Sequence, residues 1–310
     1  MVNKIVIGTR GSELARAQTR MVKEALREKW PDVTIETKII RTSGDEAHPR
    51  AGKLRHGRKG LFTAEIEKAL LAGDVDLAVH SAKDLPSETN PSAAIAAVRP
   101  RAPMDDVLVS KQPGGLTSLR EGATIATGSV RRKHQLAWKH PGLAIIDLRG
   151  NVLTRLRKLA ENDWDAIVLA RAGLERLGFA TTRAQINVEG REFFIEVLPR
   201  EIFLPAGGQG IIALQIRADN ESIRAIVEPV NDRETLLCLR AEREFLRLLQ
   251  GDCNSPVGVL ATTKNGIMKI RAQVFQDGSG APRAGRAEGR SDDYERLAVE
   301  LLRQVNGEQD

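Results

Sequence analysis

The alternation of short apolar runs with helical periodicity constrains this chain most. Lys4 to Gly8 reads as a buried strand, and Thr9-Arg10-Gly11-Ser12 turns it into a helix with Ser12 as N-cap. Leu14, Ala15, Gln18, Val22, Ala25 and Leu26 recur at helical spacing until Trp30-Pro31, and a strand follows from Thr34 to Arg41. A helix over Thr63 to Ala72 closes at Gly73, and Asp76 to His80 makes the next strand. Arg99-Pro100-Arg101-Ala102-Pro103 interrupts the alternation and reads as a hinge or linker. It then restarts, with strands at Val107 to Ser110, Thr124 to Thr127, Ala144 to Leu148 and Ala166 to Ala170, and helices near Val130, Val152 and Ala172. Strand, turn and helix in that order predict open α/β sheets, which bind ligands at the carboxyl ends of their strands.

The last third departs from that rhythm. Ile211 to Ile216 is a return strand. Asn231-Asp232-Arg233-Glu234 resembles a capping box opening a helix that runs to about Leu249. Strands at Val257 to Thr262, Ile267 to Val274 and Arg283 to Glu288, then a helix from Asp292 to Gln304, predict a small α+β domain. The expected division is 1–99 with 211–228, then 100–210, then 229–310. With 41% hydrophobic and only 4% aromatic residues, the cores must be built from Ala, Val, Ile and Leu.

Chemistry gathers at the strand ends. Arg10 and Ser12 follow the first strand, and Ser81-Ala82-Lys83-Asp84-Leu85-Pro86 follows the strand ending at His80. A carboxylate beside a lysine is either a plain ion pair or an acid–base group tuned by its neighbour. His80 has no second histidine nearby and is expected to be structural; no metal is expected. Arg131, Arg132, Arg149 and Arg155 stand at strand-to-helix junctions, where the helix dipole repels cations. Their placement makes sense if an anion offsets the repulsion, and guanidinium groups grip carboxylates bidentately.

Cys253 sits in Gly251-Asp252-Cys253-Asn254-Ser255-Pro256, a run of turn formers, and should ride on an exposed loop. Cys238, within Leu236-Leu237-Cys238-Leu239, belongs to a core. Two cysteines exclude a disulfide framework. The N-terminal apolar run is too short for a signal peptide and no run reaches membrane-spanning length, so a reduced cytoplasmic setting is expected. A net charge of +6 calls for an anionic partner: nucleic acid, a phosphate or a polycarboxylate. Nucleic acid is disfavoured, because neither a helix-turn-helix nor aromatic interleaving is present. Thr42 to Gly60 lacks periodicity and carries Arg50, Lys53, Arg55, Arg58 and Lys59. It is either a solvated charge run or a mobile basic lid.

Together these motifs resemble the porphobilinogen deaminase (hydroxymethylbilane synthase) family. The resemblance rests on Thr9 to Ser12, Lys59-Gly60-Leu61-Phe62, Val79 to Pro86, Thr127-Gly128-Ser129-Val130-Arg131-Arg132, Leu148 to Val152, Leu204-Pro205-Ala206 with Gly208-Gln209-Gly210, and the Cys253 loop. It implies two doubly wound, periplasmic-binding-protein-like domains plus the small α+β domain. It also implies a dipyrromethane cofactor on Cys253 through a thioether, extended by four porphobilinogen units with loss of ammonia. Hydrolysis then releases hydroxymethylbilane, in tetrapyrrole biosynthesis. On that pattern Asp84 is catalytic and stabilises cationic azafulvene and pyrrole intermediates. Ser81, Lys83, Thr127, Ser129, Arg131 and Arg132 hold the cofactor. Arg10, Ser12, Gln18, Arg149, Arg155 and Arg176 serve substrate, and Arg55, Arg58 and Lys59 form the lid. A monomer without nucleic-acid or membrane partners is expected. Three departures stand out: Gly57-Arg58-Lys59 replaces Gly-Gly-Lys, Arg55 stands where the family often has Lys, and Phe179 to Ile202 is longer than the family pattern, as for an added surface hairpin without catalytic role. The rival reading is a non-catalytic two-domain anion-binding protein.

Overall fold

A computed structural model describes residues 2–43, 62–88, 90–251, 255–276 and 280–308. The first sheet combines β1 (Lys4–Thr9), β2 (Thr34–Ile39), β3 (Leu77–Ser81), β4 (Ala93–Val98) and β11 (Ile212–Arg217), in the order β2-β1-β3-β11-β4. β1 runs parallel to β2 and β3, whereas β11 inserts antiparallel between β3 and β4. Helix α1 (Glu13–Lys29) is capped as expected, with the Ser12 hydroxyl accepting from the Ala15 amide. Its Val22, Ala25 and Leu26 pack on Ile5, Ile7 and Leu77 in one dry core. β4 was not foreseen: Ala-Ala-Ile-Ala-Ala-Val carries little β-branched signal, and only its place beside β11 makes it a strand. Helix α2 (Ala64–Leu71) covers the same sheet.

The second sheet has the order β7-β6-β8-β5-β10-β9. It comprises β5 (Asp106–Ser110), β6 (Thr124–Ala126), β7 (Ala144–Ile146), β8 (Ala166–Ala170), β9 (Gln185–Val188) and β10 (Arg191–Val197). Helices α3 (Val130–Lys139), α4 (Val152–Glu161) and α5 (Arg171–Arg176) follow β6, β7 and β8. Segment 179–202 does hold a hairpin, β9–β10, yet it is no surface appendage. β10 pairs along β5, and Ile186, Val188 and Phe193 are buried in the core under β5 and β8.

After α6 (Glu221–Val227), the third unit is α7 (Arg233–Leu248), the meander β12 (Val257–Lys264), β13 (Ile267–Val274) and β14 (Arg283–Arg290), and α8 (Tyr294–Asn306). α7 is capped by Asp232, which accepts from Thr235. The reciprocal half of a capping box is missing, because Glu234 stands one position too early. Cys238 is buried, and burial pushes its thiol up to about 12, which leaves it inert.

The Arg99–Pro103 segment is not a free linker. Arg99 donates to the Val230 carbonyl, and Arg101 forms a buried ion pair with Glu242 on α7 at 2.6 Å. Glu242 also accepts the amide protons of Gly208 and Ala261. One carboxylate thus fastens both crossings between the first two sheets to the third unit. Among the described residues no helix is long and apolar enough to cross a membrane.

Candidate active site

The site forms where β3, β6 and β7 end. β3 runs into a 3-10 turn, Ala82–Asp84, which Pro86 stops. Lys83 and Asp84 are half-buried there. Burial lowers the Lys83 ammonium to about 8; Asp84 and Asp106 oppose that fall, while Arg132 and Arg131 add to it. Lys83 therefore shares one electrostatic neighbourhood with residues of both sheets.

Across from it, Thr127-Gly128-Ser129 turns β6 into α3. Only glycine fits at position 128, where a Cβ would meet the Leu148 carbonyl oxygen at 2.4 Å. Ser129 caps α3 by accepting from the Arg132 amide, and buried Thr127 accepts from the Ser129 amide. Arg131 and Arg132 do find an anion, but it lies within the chain. Asp106, wholly buried at the start of β5, takes one guanidinium on each carboxylate oxygen, both at 2.7 Å. Burial alone would raise its carboxyl; the two arginines instead hold it well below the usual carboxylate range. Arg131 also reaches the Gln135 side chain and the Leu204 carbonyl, and Arg132 the Val168 carbonyl.

Arg149 and Arg155 flank the start of α4, whose N-cap Asn151 accepts from Thr154. Arg149 is exposed, whereas Arg155 is half-buried and donates to the Gly150 carbonyl. Burial brings Arg155 down to about 10, with Arg132 and Arg149 adding to the fall and Asp84 resisting it. Arg155, on the second sheet's side, is thus within electrostatic reach of Asp84. Arg176 joins elsewhere, through the Gly210 carbonyl at 2.6 Å, and burial lowers it also to about 10.

A second group lies on the β1–α1 side. Gln18 and Ser81 are hydrogen-bonded at 2.8 Å, and the Arg10 guanidinium stacks 4.3 Å above the Phe62 ring. His80 is structural as expected: it contacts Gln215, and burial drops its imidazole to about 4. Cys253, Arg55, Arg58 and Lys59 lie outside the described residues. Gly251, two positions before Cys253, accepts a hydrogen bond from the Ser87 hydroxyl, and Arg243 donates to the Ser87 carbonyl. The base of the cysteine loop is therefore tied to the turn that carries Asp84.

Lys83, Arg131, Arg132 and Arg155 outnumber Asp84 and Asp106 in this cluster. Desolvated cations in excess favour an anionic ligand. Among the described residues the buried Nε atoms of Arg131, Arg132 and Arg176 lack an acceptor. Donors of this kind fit a group bearing carboxylates.

Comparison with known proteins agrees. The family model described as "Porphobilinogen deaminase, dipyromethane cofactor binding domain" matches residues 5–225, and that of the porphobilinogen deaminase C-terminal domain matches 236–304. The chain belongs to the porphobilinogen deaminase family. A porphobilinogen deaminase of Chlorobium phaeobacteroides is 40% identical over 274 residues, 88% of this chain and 84% of that protein. One from Syntrophomonas wolfei is 44% identical over 269 residues, 86% of this chain and 84% of that protein. One from Moorella thermoacetica is 41% identical over 314 residues, 98% of this chain and 95% of that protein. Among solved structures, the methionine-binding protein MetQ aligns with a TM-score of 0.45 and 14% identity, over 76% of this chain and 92% of that one.

Of the residues gathered here, sequence reasoning missed Asp106. Asp106 begins a strand that continues Val-Leu-Val-Ser, wholly buried between β8 and β10. A charge at the head of such a strand needs a partner, and Arg131-Arg132 needed a counter-charge. Together those two demands could have found it.

Proposed function

We propose that this protein is a porphobilinogen deaminase, a transferase of tetrapyrrole biosynthesis. It condenses four porphobilinogen units, with loss of ammonia, onto a dipyrromethane primer joined to Cys253 through a thioether, and hydrolysis then frees hydroxymethylbilane. The observation that carries this reading is a cationic cluster at the strand ends, in which Lys83 and Arg155 both lie within electrostatic reach of Asp84 and of Arg132.

When bound, dipyrromethane supplies the pyrrole carbon to which the first unit adds. The chain's own residues do the rest. Ser81, Lys83, Thr127, Ser129, Arg131 and Arg132 are the donors for the cofactor's carboxylates. Arg10, Ser12, Gln18, Arg149, Arg155 and Arg176 receive the acetate and propionate of incoming substrate. Asp84 faces the positive charge that develops as ammonia leaves porphobilinogen, and a fixed carboxylate at that point lowers the barrier. Arg55, Arg58 and Lys59 supply counter-charges for the lengthening polyanion. We assign the enzyme to the cytoplasm as a monomer, divided into 1–99 with 211–228, 100–210 and 229–310.

The test is intact mass with peptide mapping. Active protein should carry the dipyrromethane increment on Cys253 while Cys238 stays a free thiol, and Cys253→Ser should fold without the increment or turnover. Active protein without an adduct would overturn the reading.

A further inference from the structure

Gln209 lies on the second crossing, between Leu204-Pro205-Ala206 and β11, and is 1% exposed. Its amide nitrogen donates to Asp106 Oδ1 at 2.9 Å and to the Met104 carbonyl at 2.7 Å. Both partners are acceptors, so the orientation of the amide is fixed. Its Oε1 is consequently buried with no donor among the described residues. Leaving a buried acceptor unmatched costs stability. The arrangement persists because the nitrogen side is doubly engaged, and a glutamate could not supply those two N–H groups.

The neighbours of Gln209 extend the connection in three directions. Gly208, at φ +74°, packs so closely on the 3-10 turn that a Cβ would meet the Lys83 amide nitrogen at 3.0 Å. Gly210 offers its carbonyl to Arg176, and the Gln209 carbonyl takes the Arg101 Nε at 2.9 Å. Charged residues around this stretch, among the described ones, include Asp105 and Asp106 at the head of β5, Arg131 and Arg132 on α3, Arg101 on the first crossing, Arg176 on α5, Glu242 on α7, and Lys83.

We propose that Gln209 is a positioning residue of this active site. Through Asp106 it fixes the aim of Arg131 and Arg132, and its segment holds that arginine pair in register with the turn bearing Lys83 and Asp84. It touches no reacting atom. Asp106 presents one oxygen to both Arg132 and Gln209, so loss of the amide lets the carboxylate rotate and the guanidiniums follow. The inference rests on the functional reading above.

The experiment is a double-mutant cycle on the full-length protein: wild type, Gln209→Met, Asp106→Asn and both together. Turnover of porphobilinogen per cofactor-loaded chain, the loaded fraction by intact mass, and melting temperature are read for each. A hydrogen bond to a charged group corresponds to roughly a ten- to hundred-fold effect, so Gln209→Met should lower turnover by about tenfold or more. In the Asp106→Asn background the same change should add nothing to the turnover loss, because the carboxylate it acts on is gone. If Asp106→Asn does not fold, Arg132→Lys serves as the background, with the same expected non-additivity. Turnover losses that multiply independently would overturn the proposal, as would normal turnover with only a lower melting temperature. Failure of the functional reading would show separately, as wild-type protein that neither carries the adduct nor consumes porphobilinogen.

Discussion

Asp106→Asn tests whether the arginine pair depends on an internal counter-ion. The carboxylate is wholly buried and accepts from Arg131, Arg132 and Gln209 at 2.7, 2.7 and 2.9 Å. Asparagine keeps its shape but turns one oxygen into an N–H donor, which then faces another donor. It also leaves two adjacent buried guanidiniums without their shared anion. Removing one partner from a buried pair costs about 3–5 kcal/mol. At a few degrees per kcal/mol, the melting temperature of cofactor-free protein should fall by roughly 10 °C at pH 7. The Asp106 carboxyl lies below its unfolded value, so its contribution is complete above about pH 4, the unfolded carboxylate range. It is lost only as pH falls further, towards the folded value. The wild-type advantage over the variant should therefore be level from pH 5 to 8 and shrink in stronger acid. Circular dichroism melts across that range provide the assay. A variant melting within about 2 °C of wild type at pH 7 would show that the pair is held by Leu204, Val168 and Gln135 instead.

Asp84→Asn should still acquire the primer but lose about a hundredfold or more in turnover, measured on chains whose mass shows the cofactor; near-normal turnover would place the catalytic role elsewhere. Lys83 has a folded value of about 8 against 10.5 unfolded, so its charged form costs stability below about 8 and that cost fades as pH rises. In cofactor-free protein Lys83 should accordingly be acylated by amine reagents near pH 8 before other lysines, and bound carboxylates should restore its proton and protect it, as peptide mapping would show. Arg55→Ala with Arg58→Ala should spare fold and primer yet stall elongation at intermediate lengths, with the defect weakening as salt screens the charges; native mass spectra matching wild type after limited substrate would count against a lid.

Much of this architecture was legible because strand and helix periods differ and local caps are explicit. Ser12 announces a helix and does cap it, and Ser129 and Asn151 cap the helices expected near Val130 and Val152. Ala166–Ala170 and Ile267–Val274 are strands over the spans their apolar patterns indicate. What escaped was written in long-range pairing. The alanine-rich β4 exists because β11 returns beside it, from more than a hundred residues away. The arginines of the site were visible through their odd placement at helix starts, but their aim was not. Nothing local to Arg131 says that it points to Asp106 instead of outward, and nothing in Pro-Arg-Ala-Pro says that Arg101 is locked to Glu242.

The insertion of β11 between β3 and β4 also fixes an order of events during synthesis. β3 and β4 leave the ribosome early, yet each has an open edge until residue 217 has emerged, because the strand that joins them is made after the whole second sheet. The second sheet needs nothing beyond Val197 for its own strands and can close while the first still waits. An interrupted chain ending before Ile212 would carry a finished second sheet and a first sheet split in two, with unpaired edges open to other nascent chains. For this protein, the vulnerable interval in the life of the chain lies between the completion of β4 and the arrival of β11.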